Sequence, residues 1–215
     1  MLSLTRRSLA ALVIGLTLAS ASFAQALFQE GTNFQRLPQA MPVTTGAQIE
    51  VLEVFSYACS HCAHFEPTLS AWKTTMPKNA KLIYMPAVFQ PAWVPYARAF
   101  YAAEQLGVLE KSHAKMFKAL FEEQKQFAGV DDIANWYAQF GISAKAFTDA
   151  FTGAGMEAKL QRVVDLTPKY GVEGTPTMVV DGKYKFDVTS AGGPDKVGPL
   201  LNFLISKAAA ERGKK

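Results

Sequence analysis

Cysteine occurs twice in the 215 residues, at Cys59 and Cys62, with Ser60 and His61 between. A disulfide across that spacing closes a loop of four residues, worth about 2 kcal/mol on chain-entropy grounds against ~3 for a loop of fifteen. A chain this long gains little from such a clasp, so chemistry is the better reason for it. The thiolate is the nucleophile of thiol–disulfide exchange, and whatever stabilises it sets both reactivity and redox poise. At the first turn of a helix, a cysteine meets unpaired backbone N–H groups and the positive end of the macrodipole. The dipole contributes up to ~2 kcal/mol and one or two charge-assisted hydrogen bonds add ~1.5–3 each. Together these take a thiol from about 8.5 to well below 7. His61 stands where it can add a donor or a positive neighbour.

Other uses of the pair fit less well. Haem attachment needs a histidine directly after the second cysteine, and position 63 is Ala. A structural zinc site takes four ligands. The cysteines and histidines number five in all, Cys59, Cys62, His61, His64 and His113, with no second pair at finger spacing. No metal and no cofactor is therefore expected. His64 is expected on a helix surface, and His113 has no assigned role.

The elements around the pair follow from periodicity. Ile49–Phe55 is a β-rich, mostly apolar run, the pattern of a strand covered on both faces. A helix is expected from Cys59 to about Met76, with Phe65, Leu69 and Trp72 as its apolar stripe, a kink at Pro67 and a stop at Pro77. Lys81–Met85 reads as a second strand. From about Trp93 to Tyr170 the pattern is helical. Pro95 opens one helix and Gly107 follows its end; Asp131 and Ser143 are placed to cap two more. Phe100, Phe117, Phe121, Trp136, Tyr137, Phe140 and Phe147 recur at helical spacing and read as a packed core. The last of these helices, from Met156 to about Leu166, is expected to break near Pro168. Thr177–Val180, the turn pair Asp181–Gly182 and Lys183–Phe186 spell a hairpin. A final amphipathic helix after Pro194 buries Leu200, Leu204 and Ile205. The order predicts one α/β domain, residues 27–92 and 168–215, interrupted by a helical insertion over 93–167.

Residues 1–26 have the layout of a secretory signal peptide: Arg6-Arg7, the apolar run Leu9–Leu18, then small residues with cleavage expected near Ala24 or Ala26. The apolar run is far short of the roughly 20 residues a membrane-spanning helix needs. The chain carries 22 basic and 18 acidic residues. Loss of Arg6 and Arg7 leaves 20 against 18, no footprint for nucleic acid. There is no internal repeat.

The run Val51-Leu52-Glu53-Val54-Phe55-Ser56-Tyr57-Ala58-Cys59-Ser60-His61-Cys62, followed by Phe65-Glu66, resembles the active-site segment of DsbA-type thiol oxidases. Gly171-Val172-Glu173-Gly174-Thr175-Pro176-Thr177-Met178-Val179-Val180-Asp181-Gly182-Lys183-Tyr184 is similar to that family's proline loop and hairpin. The likeness spans nearly all of the expected mature chain. It implies a thioredoxin fold with an inserted helical domain, a substrate-docking groove beside the cysteines, and reoxidation by a DsbB-type, quinone-linked membrane partner. It also implies a cis peptide bond before Pro176. The residues themselves show a proline at a strand start, where its missing N–H is tolerated. Thr175 would then offer its backbone to a substrate strand.

Glu53 lies inside an apolar strand, six residues before Cys59. One reading is an edge residue reaching solvent. The other is a buried carboxylate with a raised pKa that manages the proton of Cys62, and the resemblance implies a buried glutamate here. The family's frequent lysine partner on the next strand has no counterpart; Tyr84 occupies its place. Ser60 stands where well-known members carry proline and Thr175 where some carry valine. Both flank the reactive sulfur and should tune its potential and substrate choice.

These readings point to a periplasmic, monomeric thiol:disulfide oxidoreductase that gives its Cys59–Cys62 disulfide to reduced, cysteine-containing exported proteins. A reductase on the same fold is the alternative, since poise is not written in spacing. An isomerase with an N-terminal dimerisation domain is disfavoured, because about 20 residues separate the leader from the first expected strand. A metal chaperone would retain metal on its thiolates, and a non-catalytic chaperone would survive Cys59→Ser.

Overall fold

The computed structural model describes residues 28–213; the expected signal peptide lies outside them. Five strands form one sheet in the order β1-β5-β4-β2-β3. They are β1 (Gln35–Arg36), β2 (Ile49–Phe55), β3 (Ala80–Pro86), β4 (Thr177–Val180) and β5 (Tyr184–Phe186). β2 and β3 are parallel and the remaining pairs antiparallel. Every residue of β2 is buried, because the strand is central and covered on both faces, as its mostly apolar run predicts.

Helix α1 (Ser60–Lys73) follows β2. It presents Phe65, Leu69 and Trp72 to one face of the sheet, together with Leu200, Leu201 and Leu204 of the last helix. α1 passes through Pro67, whose absent N–H leaves the Ala63 carbonyl without its helical donor. It ends short of Met76 because the hydroxyls of Thr74 and Thr75 fold back onto the carbonyls of Ala71 and Trp72.

The chain leaves the sheet after β3 and runs through α2 (Val94–Gln105), α3 (Leu109–Phe117), α4 (Val130–Tyr137), α5 (Ala144–Thr152) and α6 (Met156–Lys169). Phe100, Phe117, Tyr137 and Phe147 are fully packed in their core, with Trp136 and Phe140 partly buried. Phe121 is the exception and is exposed. The chain winds as a π-helix over Lys118–Glu122, and the wider turn carries position 121 off the buried stripe. Ser143 caps α5 as expected, accepting from the Ala146 N–H at 3.1 Å. The start of α4 differs: Gly129 holds the capping position, while Asp131 and Asp132 lie in the first turn and Asp132 accepts from the Ala128 N–H. α6 also differs, continuing through Pro168 to Lys169. The carbonyl that Pro168 cannot serve belongs to Val164, an exposed residue.

β4 and β5 are joined by Asp181, Gly182 and Lys183; Asp181 and Gly182 are both at positive φ (55° and 60°), and the Lys183 N–H donates to the Val180 carbonyl. This is the type I′ turn that an Asp-Gly pair favours. Gly182 is also confined by packing, since a Cβ there would fall 2.2 Å from the Met41 carbonyl oxygen. A short helix α7 (Val188–Ala191) and the long α8 (Pro194–Arg212) complete the fold, and Leu200, Leu204 and Ile205 are buried as expected. Among the described residues, no helix is long and apolar enough to cross a membrane.

Candidate active site

Cys59 ends the turn after β2 in extended backbone (φ −100°, ψ 115°) and caps α1. Its Sγ accepts from the Cys62 N–H at 3.3 Å and lies 3.4 Å from the Thr175 carbonyl oxygen, to which the neutral thiol donates. The turn is held by the Ser56 side chain, which accepts from the Ala58 N–H, and by the Cys59 N–H donating to the Ser56 carbonyl. Both cysteines are free thiols. Cys59 retains 8% exposure and Cys62 none.

The two sulfurs differ sharply. The Cys59 thiol is pushed down to about 5. A hydrogen bond from the Cys62 thiol is the largest cause. The Thr175 side chain and the backbone N–H groups of Cys62 and His61 act in the same direction, and together they outweigh the burial that opposes them. Cys62 moves far the other way, through burial first, then its hydrogen bond to Cys59 and the nearby charges of Glu53 and Cys59. His61 thus acts on Cys59 through its main chain. Its imidazole is exposed and lines a groove of about 590 Å³ beside the cysteines, with Phe34, His64, Phe65, Thr175 and Pro176. Ser60 is exposed at the first helical position, and His64 lies on the helix surface.

The Thr175–Pro176 peptide bond is cis, and β4 begins at the next residue. Thr177 Oγ1 donates to the Gly174 carbonyl at 2.7 Å and ties the loop to the strand.

Glu53 is buried in β2, opposite Tyr84 on β3 and Met178 on β4. The tyrosine therefore does take the neighbouring place on the next strand. Burial, then the charges of Glu66 and Cys59, raise the Glu53 carboxyl well above its ordinary range. Strand alternation puts Glu53 on the face of Val51 and Phe55, the side that α1 covers.

Two residues near this face carried no assigned role in the sequence. Glu66 lies one turn beyond Cys62 on α1 and is buried; the i, i+4 spacing from Cys62 was the available signal. His113 comes from α3, is buried, and accepts or donates at 2.8 Å with Tyr57 through Nδ1. Nothing local marks His113, because its polar partners Tyr57 and Glu66 arrive from distant parts of the chain. Its Nε2 lies 3.6 Å from Glu66 Oε2. That spacing would suit an ion pair, yet burial pushes the imidazole down to about 3 and the Glu66 carboxyl up. Burial thus works against the charged form of both partners.

The family model described as "DSBA-like thioredoxin domain" matches residues 93–197. The thiol:disulfide interchange protein DsbA of Pseudomonas syringae pv. tomato is 36% identical over 211 residues, covering 94% of this chain and 99% of that protein. The protein of the same name from Pseudomonas aeruginosa is 34% identical over 183 residues, covering 85% and 87%. Among solved structures, Pseudomonas aeruginosa DsbA superposes with a TM-score of 0.80 at 34% identity, covering 87% of this chain and 97% of that one. The oxidoreductase DsbA from Xylella fastidiosa superposes with a TM-score of 0.79 at 34% identity, covering 86% and 99%.

Proposed function

Because this chain belongs to the DsbA family of thiol:disulfide oxidoreductases, we propose that it works as a disulfide donor in the periplasm, oxidising newly exported proteins. The observation that carries this reading is the asymmetry of the pair: Cys59 is held as a stable anion at about 5, while Cys62 is buried and holds its proton.

The reaction begins with the Cys59–Cys62 disulfide. A substrate thiolate in the groove attacks the Cys59 sulfur, the S–S bond breaks, and Cys62 leaves with the electron pair and takes a proton. A second substrate thiolate then attacks the substrate sulfur of the mixed disulfide. Cys59 departs as a thiolate that needs no proton, and a leaving group of low pKa departs faster. The substrate has lost two electrons and two protons. The protein has gained the electrons and the Cys62 proton, and the other proton goes to solvent.

Cys59 and Cys62 are the catalytic residues in this scheme. Ser60 and His61 tune the thiolate from the first turn, Glu53 tunes Cys62 from below, and Thr175 and Pro176 seat the substrate backbone. A DsbB-type, quinone-linked membrane oxidase restores the disulfide, and the protein acts as a monomer after losing residues 1–26. The rest divides into a thioredoxin-like part, 27–92 with 168–215, and the insertion 93–167.

The test is the reduction potential of the pair against a glutathione buffer, with Cys59 thiolate absorbance followed against pH on the same sample. Donation requires a potential well above the about −270 mV of thioredoxin and Cys59 ionised below pH 6. A potential near thioredoxin's, with Cys59 titrating near neutrality, would instead make the protein a reductase.

A further inference from the structure

Glu53 from β2, Glu66 from α1 and His113 from α3 each bring one potential ligand atom to a common point, all within 4.8 Å of one another and all buried. Two of the side chains leave atoms unused there: Glu53 Oε2 and His113 Nε2 have no hydrogen-bond partner. Their neighbours hold them in an orientation suited to ligation. Ser70 Oγ donates to Glu66 Oε1 at 2.6 Å, which leaves Oε2 turned to His113 Nε2 at 3.6 Å. Tyr57 Oη sits 2.8 Å from His113 Nδ1. With the imidazole proton on Nδ1 and donated to that oxygen, Nε2 presents a lone pair to the two carboxylates. An outer partner on the far ring nitrogen is the usual support of a metal-binding histidine.

The spacing suits a small cation. Donors about 2.0–2.1 Å from a tetrahedral ion lie about 3.3 Å from each other. The Glu66–His113 separation is already close to that, and the widest pair needs to close by at most about 1.5 Å, within the reach of carboxylate rotation. Charge suits it too. Two carboxylates and one imidazole around a dication make a neutral assembly, whereas an unpaired charge at this depth is costly. A fourth position is available from a neighbouring cavity of about 110 Å³, lined by Ser70, Lys73, Tyr84 and Glu110, which has room for water.

We propose that Glu53, Glu66 and His113 form a binding site for one divalent transition-metal ion of the zinc class, with a water from the adjoining cavity as fourth ligand. An imidazole with two carboxylates is a zinc-type ligand set that keeps a coordination position open. The site lies behind the cysteines and uses neither sulfur, so it stands whether or not the protein proves to be a disulfide donor.

The experiment uses the oxidised full-length mature protein, whose disulfide offers no thiolate, titrated with Co²⁺ as a visible probe. The expected result is d–d absorption saturating at one equivalent and abolished by Zn²⁺. Glu66→Gln, which keeps the shape of the side chain, should weaken binding more than ~100-fold, beyond what loss of an outer partner does. His64→Ala, which removes half of the exposed His61/His64 pair, should leave it unchanged. X-ray absorption of the zinc-loaded wild type should give one imidazole, oxygen donors and no sulfur. Absence of saturable binding, binding that survives Glu66→Gln, or a spectrum with two imidazoles would each overturn the proposal.

Discussion

The helix terminus at Cys59 and the polar pocket behind it are both places where an acid could shed its proton, and they treat it in opposite ways. At Cys59 the anion meets the Cys62 thiol, then Thr175 and the backbone N–H groups of Cys62 and His61, so partial burial is more than offset. In the pocket, Glu53 has an oxygen with no donor at all, and burial raises its carboxyl well above the ordinary range. Depth alone does not decide ionisation; the supply of fixed donors does. Two groups in the same small region are therefore set apart in acidity, the thiol lowered and the carboxyl raised.

The severest way to break this contrast is Cys59→Ser. It should abolish oxidation of a reduced substrate protein while leaving the protein folded, with an unfolding midpoint close to that of the reduced wild type below pH 5, where both forms hold the proton, and below it at higher pH. Residual oxidation would move the nucleophile elsewhere. Next comes the pH dependence of stability. Cys59 releases its proton at about 5 when folded and at about 8.5 when unfolded. Between these values the unfolded reduced chain binds more protons, so stability of the reduced form rises with pH, by at most ~1.4 kcal/mol per pH unit. The oxidised form has no such thiol. Urea midpoints of the two forms should therefore diverge from pH 5 to about 8.5 in favour of the reduced protein, and parallel curves would sink the assignment.

A smaller effect is expected from the pocket. Glu53→Leu removes a buried oxygen that has no partner, so in chelator-treated protein it should be neutral or raise stability by roughly 1–3 kcal/mol. A large loss, read by thermal unfolding, would mean that the carboxyl is better satisfied than its geometry indicates. The smallest effect calibrates the others from a distance. Ser143→Ala, at the cap of α5, should cost about 1 kcal/mol with the reduction potential unmoved, because that helix does not touch the sulfurs.

Strand β2 was legible to the residue, since a doubly covered strand is largely apolar, and Glu53 within it then stood out. The helix start at Cys59, the Asp181–Gly182 turn and the Ser143 cap were legible for a similar reason: each rests on chemistry within four residues. Misreadings came where a distant or continuous interaction won. Phe121 fits a helical stripe until the π-turn displaces it, and the helix continues through Pro168 beside an exposed Val164. The two-residue β1 exists only through its pairing with β5. The pocket was the least legible part. Cys59 and Cys62 share one turn, whereas Tyr57 and His113 are 56 residues apart and meet only across the seam between sheet and helices.

The Thr175 carbonyl that touches Cys59 belongs to a residue synthesised 116 positions later. During synthesis the two cysteines emerge long before the loop that completes their surroundings, with every helix from α2 to α6 still to come. Contacts of such separation form late, after much chain entropy has been surrendered. An unfinished chain lacks the Thr175 partner of Cys59, and the fully tuned sulfur is a property of the finished molecule. Its reactivity is in this sense a proof of completed folding, withheld from fragments that could otherwise trap their neighbours in unwanted mixed disulfides.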